Sequence, residues 1–184
     1  MRVIGVRARM RRLGCPTIAP KEYPVRKLAL VLSLLPIAAF AQTPDIAPMA
    51  GRDGWRVIDS AKPYAAMVEA VKAATLANKM GVVTEAGPTE AAQKLGVTLP
   101  GNRVIGVFNP AFAVRVLPLS TAAMIEAPIR FYVTEDADGS STLSWKTPSF
   151  VLAPYVADAG PELATIAAEL DAKFDAIAAA ATAP

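Results

Sequence analysis

Hydrophobic and polar positions along the chain switch between two periods, one of two residues and one near 3.6, and each switch marks an element. GWRVIDS, residues 54–60, predicts a first strand. After it Tyr64, Met67, Val68, Val71 and Thr75 fall three and four residues apart, on one face of a helix. Ser60 is expected to cap that helix, Pro63 to sit in its first turn where no intrahelical N–H is needed, and Gly81 to end it. Residues 82–86, VVTEA, predict a short strand, and residues 88–96 a short helix opened by Pro88 and closed by Gly96. RVIGVFN, 103–109, is apolar at consecutive positions and predicts a central strand covered, or nearly so, on both faces.

From Pro110 to Glu126 the pattern is helical but broken at Pro118. In residues 129–135 Ile129, Phe131 and Val133 alternate with Arg130, Tyr132 and Thr134, the period of a half-buried strand. Asp138-Gly139 is a hairpin turn signal, and STLSWK, 141–146, returns with Leu143 and Trp145 on one face. The last element is a long helix whose stripe is Leu163, Ile166, Ala167, Leu170, Phe174, Ile177 and Ala178. The order predicts a single layered α+β domain with a mixed, mostly antiparallel sheet of about five strands and helices packed on it.

Charge divides the chain. The full sequence carries +3, yet its first 41 residues hold eight basic groups and one acid. Removing these from the totals of 19 basic and 16 acidic residues leaves 11 and 15, a net charge of −4. RKLALVLSLLPIAAFAQ, 26–42, explains the split: a basic start, an apolar run from Leu28 to Ala38, and the small-x-small pattern Ala39-Phe40-Ala41. Cleavage between Ala41 and Gln42 is expected, because the apolar run falls short of the about 20 residues a spanning helix needs. The stretch before it is long for an export signal. Translation from Met10 or near Val25 accounts for that length; Arg11-Arg12 as a twin-arginine signal and Cys15 as a lipidation site are weaker readings.

The expected organisation is therefore a signal peptide with a mis-started extension over 1–41, a flexible leader over 42–53 and a domain over 54–184. Periplasmic localisation follows, with no membrane span after cleavage. Net negative charge removes the counterion-release drive for nucleic acid, so no nucleic-acid partner is expected.

Composition limits the chemistry further. The chain has no histidine, and its one cysteine, Cys15, precedes the cleavage point. Ser-His-Asp and Cys-His pairs, and the usual zinc, copper and haem ligand sets, are thereby excluded. Oxygen ligands remain, but EDADGS, 135–140, lacks the EF-hand spacing and reads first as a turn. No metal, cofactor or catalytic residue is nominated. Ser144 with Lys146 on one strand face, and the carboxylates Glu85 and Glu135, are minor catalytic alternatives.

Asn109-Pro110 carries more information. Asparagine is a favoured N-cap and proline a favoured first helical residue, so FNPAFAV reads as a strand-to-helix turn that caps itself. A helix N-terminus at a strand's end also offers N–H groups to an anion or carbonyl, and Gly106 would allow a close approach to the backbone. Phe108, Phe112 and Trp145 are either core or the walls of an apolar pocket. The candidate ligand-binding set is Asn109, Pro110, Phe112, Trp145 and Pro148.

Asn109-Pro110 after an apolar strand, Ala127-Pro128 before the next, Val133-Thr134-Glu135-Asp136 running into Asp138-Gly139, and Trp145-Lys146-Thr147-Pro148 follow one another in an order that resembles the bacterial domain-of-unknown-function 302 family. The resemblance covers roughly residues 58–177. The family's strand ends typically read Gly-Asn-Pro, Leu-Pro and Tyr-x-x-Pro, and Phe108, Ala127 and Trp145 depart from them. Many members carry a histidine near the position of Glu85-Ala86-Gly87, where this chain has none. The resemblance implies a compact α+β domain of TATA-binding-protein-like fold, often self-associating and without an established activity. The expected function is a non-enzymatic binding module for a small-molecule ligand or an accessory role. The alternative is a homodimer or protein-interaction module that uses the long helix and the strand around Tyr132.

Overall fold

The computed structural model describes residues 46–184. The expected export signal with its Ala41–Gln42 cleavage point, and residues 42–45 of the expected leader, lie outside the described residues. Five strands form the sheet: β1 (Trp55–Ser60), β2 (Gly81–Ala86), β3 (Asn102–Phe108), β4 (Ile129–Glu135) and β5 (Ser141–Lys146). They lie in the order β1-β5-β4-β3-β2, and every pairing is antiparallel. The helices are α1 (Tyr64–Ala77), α2 (Thr89–Lys94), α3 (Pro110–Val116), α4 (Pro148–Leu152), α5 (Val156–Ala159) and α6 (Pro161–Thr182), with 3₁₀ turns at Ala122–Glu126 and Ala153–Tyr155. Among the described residues no helix is long and apolar enough to cross a membrane.

The core lies between one face of the sheet and the pair α1 and α6, which pack on each other. Register explains its composition. Ile105 opposes Phe131, Phe131 opposes Trp145, and Val133 opposes Leu143, so one row of large apolar side chains faces the helices. From the helices come Met67, Val71, Leu163, Ile166, Phe174 and Ile177, all fully buried. Each such side chain contributes on the order of 1.5–3 kcal/mol relative to exposure. The Phe131 ring stacks on Phe174 at 4.7 Å and meets Trp145 edge-on at 5.4 Å, so an aromatic trio anchors the centre. The whole α6 stripe read from the sequence points inward, with Ala181 added, and is not a free interaction surface.

Several local expectations shift. Ser60 does not cap α1; its Oγ accepts from the Lys62 N–H at 3.2 Å, while Pro63 holds the cap position. The helix ends at Ala77 and the chain reverses through Lys79, whose φ of 59° is left-handed; Gly81 instead opens β2, opposite Phe108. The segment after β5 is helical from Pro148 to Ala159 although no periodicity announces it. Thr147 caps α4 through the Phe150 N–H at 3.3 Å, and Asp171 of α6 accepts from the Ser149 N–H at 2.9 Å. On the far face of the sheet Thr142 and Ser144 are buried. Residues 46–53 form no helix or strand; Ile46–Met49 and Arg52 line a hollow on that face with Asn102, Tyr132 and Thr134.

Candidate functional site

Antiparallel order brings the end of β3, the start of β4, the end of β5 and the start of β1 to one end of the sheet. Asn109 leaves β3 with extended backbone and opens α3. Its Oδ1 accepts from the Ala111 N–H at 2.8 Å, and its Nδ2 donates to the Lys79 carbonyl at 2.8 Å. Both ends of the amide are therefore engaged within the protein: one caps the helix, the other ties down the α1–β2 turn. Pro110 stands at the first helical position. The capping role read from the sequence is present.

Two adjoining hollows occupy this end. The first is an apolar cavity of about 50 Å³ between the end of β3, α3, the 3₁₀ turn at Ala122–Glu126 and α6. Phe108, Phe112, Val116, Met124 and Phe174 wall it, and Asn109 and Glu126 are the polar residues lining it. Arg115 lies beside one of its walls. The guanidinium grips Glu169 of α6 with bonds of 2.6 and 2.9 Å and lies 5.8 Å from the Phe112 ring centre. Those bonds hold the Glu169 carboxyl below the usual glutamate value, and the positive charge of Arg115 adds to the effect.

The second hollow is a groove of about 290 Å³ on the far side of Glu126 and Ile129, which line both. Trp55, Val104, Tyr132 and Val151 supply apolar surface, and Arg130, Lys146 and Glu126 supply charge. Trp145 also lines it, only 2% exposed, and its indole N–H has no hydrogen-bond partner among the described residues. An unmade buried hydrogen bond of this kind costs roughly 1–3 kcal/mol. Glu126 is already engaged: its Oε1 accepts from the Tyr155 hydroxyl at 2.7 Å, which raises the Tyr155 pKa above the ordinary tyrosine value. Lys146 sits 5.6 Å from the Trp55 ring centre and Arg52 at 5.5 Å, a cation–π pair of contacts.

The structure thus divides the five candidate residues. Asn109 and Phe112 line the cavity, Trp145 lines the groove, and neither Pro110 nor Pro148 is on the wall of either. The prolines start α3 and α4. Trp55, Glu126 and Arg130 were not nominated from the sequence. The pairing Trp55↔Lys146, which brings β1 to the groove, leaves no mark in local periodicity. The close approach at Gly106 is made by the protein itself: Thr84 and Pro128 cover it, and a Cβ there would lie 2.9 Å from Pro128 Cγ.

The remaining chemical alternatives resolve into structural roles. The Ser144 hydroxyl faces the Tyr132 carbonyl at 3.5 Å rather than Lys146. Glu85 pairs with Lys72 at 3.5 Å, and Glu135 accepts from the Gly101 N–H at 2.6 Å. In the 135–140 turn Asp138 Oδ1 accepts from the Ser140 N–H at 3.0 Å and from its hydroxyl at 2.5 Å, holding the Asp138 carboxyl below its usual value. Asp136 accepts from the Thr142 hydroxyl at 2.9 Å. Among the described residues no three metal-ligating side chains gather.

Comparison with known proteins bears on the fold and the family. The chain is similar to an uncharacterized conserved protein DUF302 from Bacillus stearothermophilus, known from a crystal structure, with a TM-score of 0.60 and 20% identity over 68% of this chain and 96% of that one. At that identity the likeness establishes a common fold. No curated protein matches. Residues 57–181 match the family described as domain of unknown function DUF302, the span that contains the sheet from Val57 onward, the lining of both hollows apart from Trp55, and nearly all of α6. By this match over more than half its length, the chain belongs to the DUF302 family.

Proposed function

We propose that this protein is an exported, non-enzymatic binding module of the bacterial periplasm that takes a small ligand by an apolar group at the strand end beside Asn109. The export half rests on the basic, apolar and small-x-small sequence ending at Ala41. The binding half rests on one observation: an apolar hollow of about 50 Å³, partly open to solvent, lies between Phe108, Phe112 and Phe174. A concave apolar wall of this kind favours an apolar guest. A cavity this small suits a short alkyl group rather than a large ring. Non-enzymatic action is favoured because the nominated hydroxyl and carboxylates are taken up in structural bonds.

Thermal-shift measurement with a series of short-chain alcohols tests the binding half. The reading expects stabilisation that peaks at one chain length and disappears in Ala123→Val, whose added methyl groups enter the cavity from its 3₁₀ wall. A flat response of the unaltered protein across the series would overturn it. N-terminal sequencing of the protein recovered from a periplasmic fraction tests the export half: a chain starting at Gln42 is expected, and one that retains residues before Ala41 refutes it.

A further inference from the structure

We infer that the groove between β1, the start of β4, the end of β5 and α4 is a separate binding site for the carboxylate of a small aromatic acid. The polar groups that face it without partners are donors. Neither Arg130 nor Lys146 has an ion-pair partner among the described residues. The one carboxylate on the wall, Glu126, already accepts from Tyr155 at 2.7 Å. A site with two free cations lacks an anion, and a carboxylate has two oxygens with which to meet both.

The body of the ligand follows from the rest of the wall. Trp55 and Tyr132 are aromatic, Val104 and Val151 are aliphatic, and the groove of about 290 Å³ is large enough for a single ring. Lys146, held over Trp55 by a cation–π contact, is the group placed to cover the bound anion. This site stands apart from the cavity of the proposed function, from which Glu126 and Ile129 divide it.

Both tryptophans of the chain, Trp55 and Trp145, line the groove, so intrinsic fluorescence reports on it directly. Titration of the full protein with phenylacetate is expected to give a saturable change in emission. Phenylacetamide, of the same shape but neutral, is expected to bind at least about tenfold more weakly. The double variant Arg130→Gln, Lys146→Gln should raise the phenylacetate Kd about tenfold with unchanged melting temperature. Ala123→Val, which alters the cavity, should leave all of these values as they were. No saturable response to phenylacetate, equal affinity for acid and amide, or indifference to the loss of both cations would each overturn the assignment.

Discussion

Replacing Asn109 by alanine removes two hydrogen bonds of different kinds, and their sizes can be separated. Oδ1 caps α3 through the Ala111 N–H at 2.8 Å, a role worth about 1 kcal/mol. Nδ2 ties the Lys79 carbonyl at 2.8 Å, an ordinary hydrogen bond worth about 0.5–1.5 kcal/mol. Both are exposed to solvent, so the lower ends of these ranges apply, and Asn109→Ala should cost about 1.5 kcal/mol in total. Asn109→Asp keeps the acceptor and gains roughly 0.3–1 kcal/mol from a negative charge at a helix N-terminus, while it loses the donor to Lys79. It should therefore fall within about 0.5 kcal/mol of the unaltered protein. Urea unfolding followed by tryptophan fluorescence, with a common m-value, resolves differences of this size. If the alanine variant lost less than about 0.5 kcal/mol, or the aspartate variant were no more stable than the alanine one, the capping account of Asn109 would be refuted.

Gly106→Ala places a methyl group against Thr84 and 2.9 Å from Pro128 Cγ, and should cost about 1–3 kcal/mol by overpacking. Thr84→Ala in the same chain should restore part of that loss in urea unfolding; no restoration would mean that Thr84 is not the obstruction. For acid stability the sign is fixed by Glu169. Its folded pKa lies below the usual value because Arg115 donates to it, so its contribution is full above the unfolded carboxylate range and vanishes as pH falls through the folded value. Glu169→Gln should accordingly be less stable than the unaltered protein at neutral pH and converge with it in acid. A gap that stayed constant with pH would contradict the ion pair.

Elements whose signal is local and repeated were legible in the sequence. The α6 stripe repeats from Leu163 to Ala178, and each residue read from it is buried. The β4–β5 hairpin was marked by Asp138-Gly139, and Gly139 takes the left-handed φ of 84° that the turn requires. Where local and distant demands compete, the reading failed. Gly81 looked like a helix stop, but pairing with Phe108 claims it for β2, and Lys79 accepts the strained turn. Ser144 read as a minor catalytic alternative beside Lys146, yet it is buried with its hydroxyl facing the Tyr132 carbonyl. Helices α4 and α5 have five and four residues, too few to show a period, and capping by Thr147 and Asp171 settles where α4 begins. The cavity was half visible through Asn109 and Phe112. The groove was not, because Trp55, Arg130 and Lys146 meet only through strand register.

The strand order β1-β5-β4-β3-β2 sets a timetable for the nascent chain. Synthesis delivers β1 first, yet its neighbour in the sheet is β5, the last strand made. While the intervening residues are being added, β1 has no partner to hold, and the distance between the two in sequence makes their union the slow, non-local step. The tight hairpin of β4 and β5 is the natural seed, with β3 and β2 joining on one side and β1 closing the other. A ribosome stalled anywhere before Ser141 would release a chain with an open seam down the middle of its future sheet, and that seam invites association with other chains.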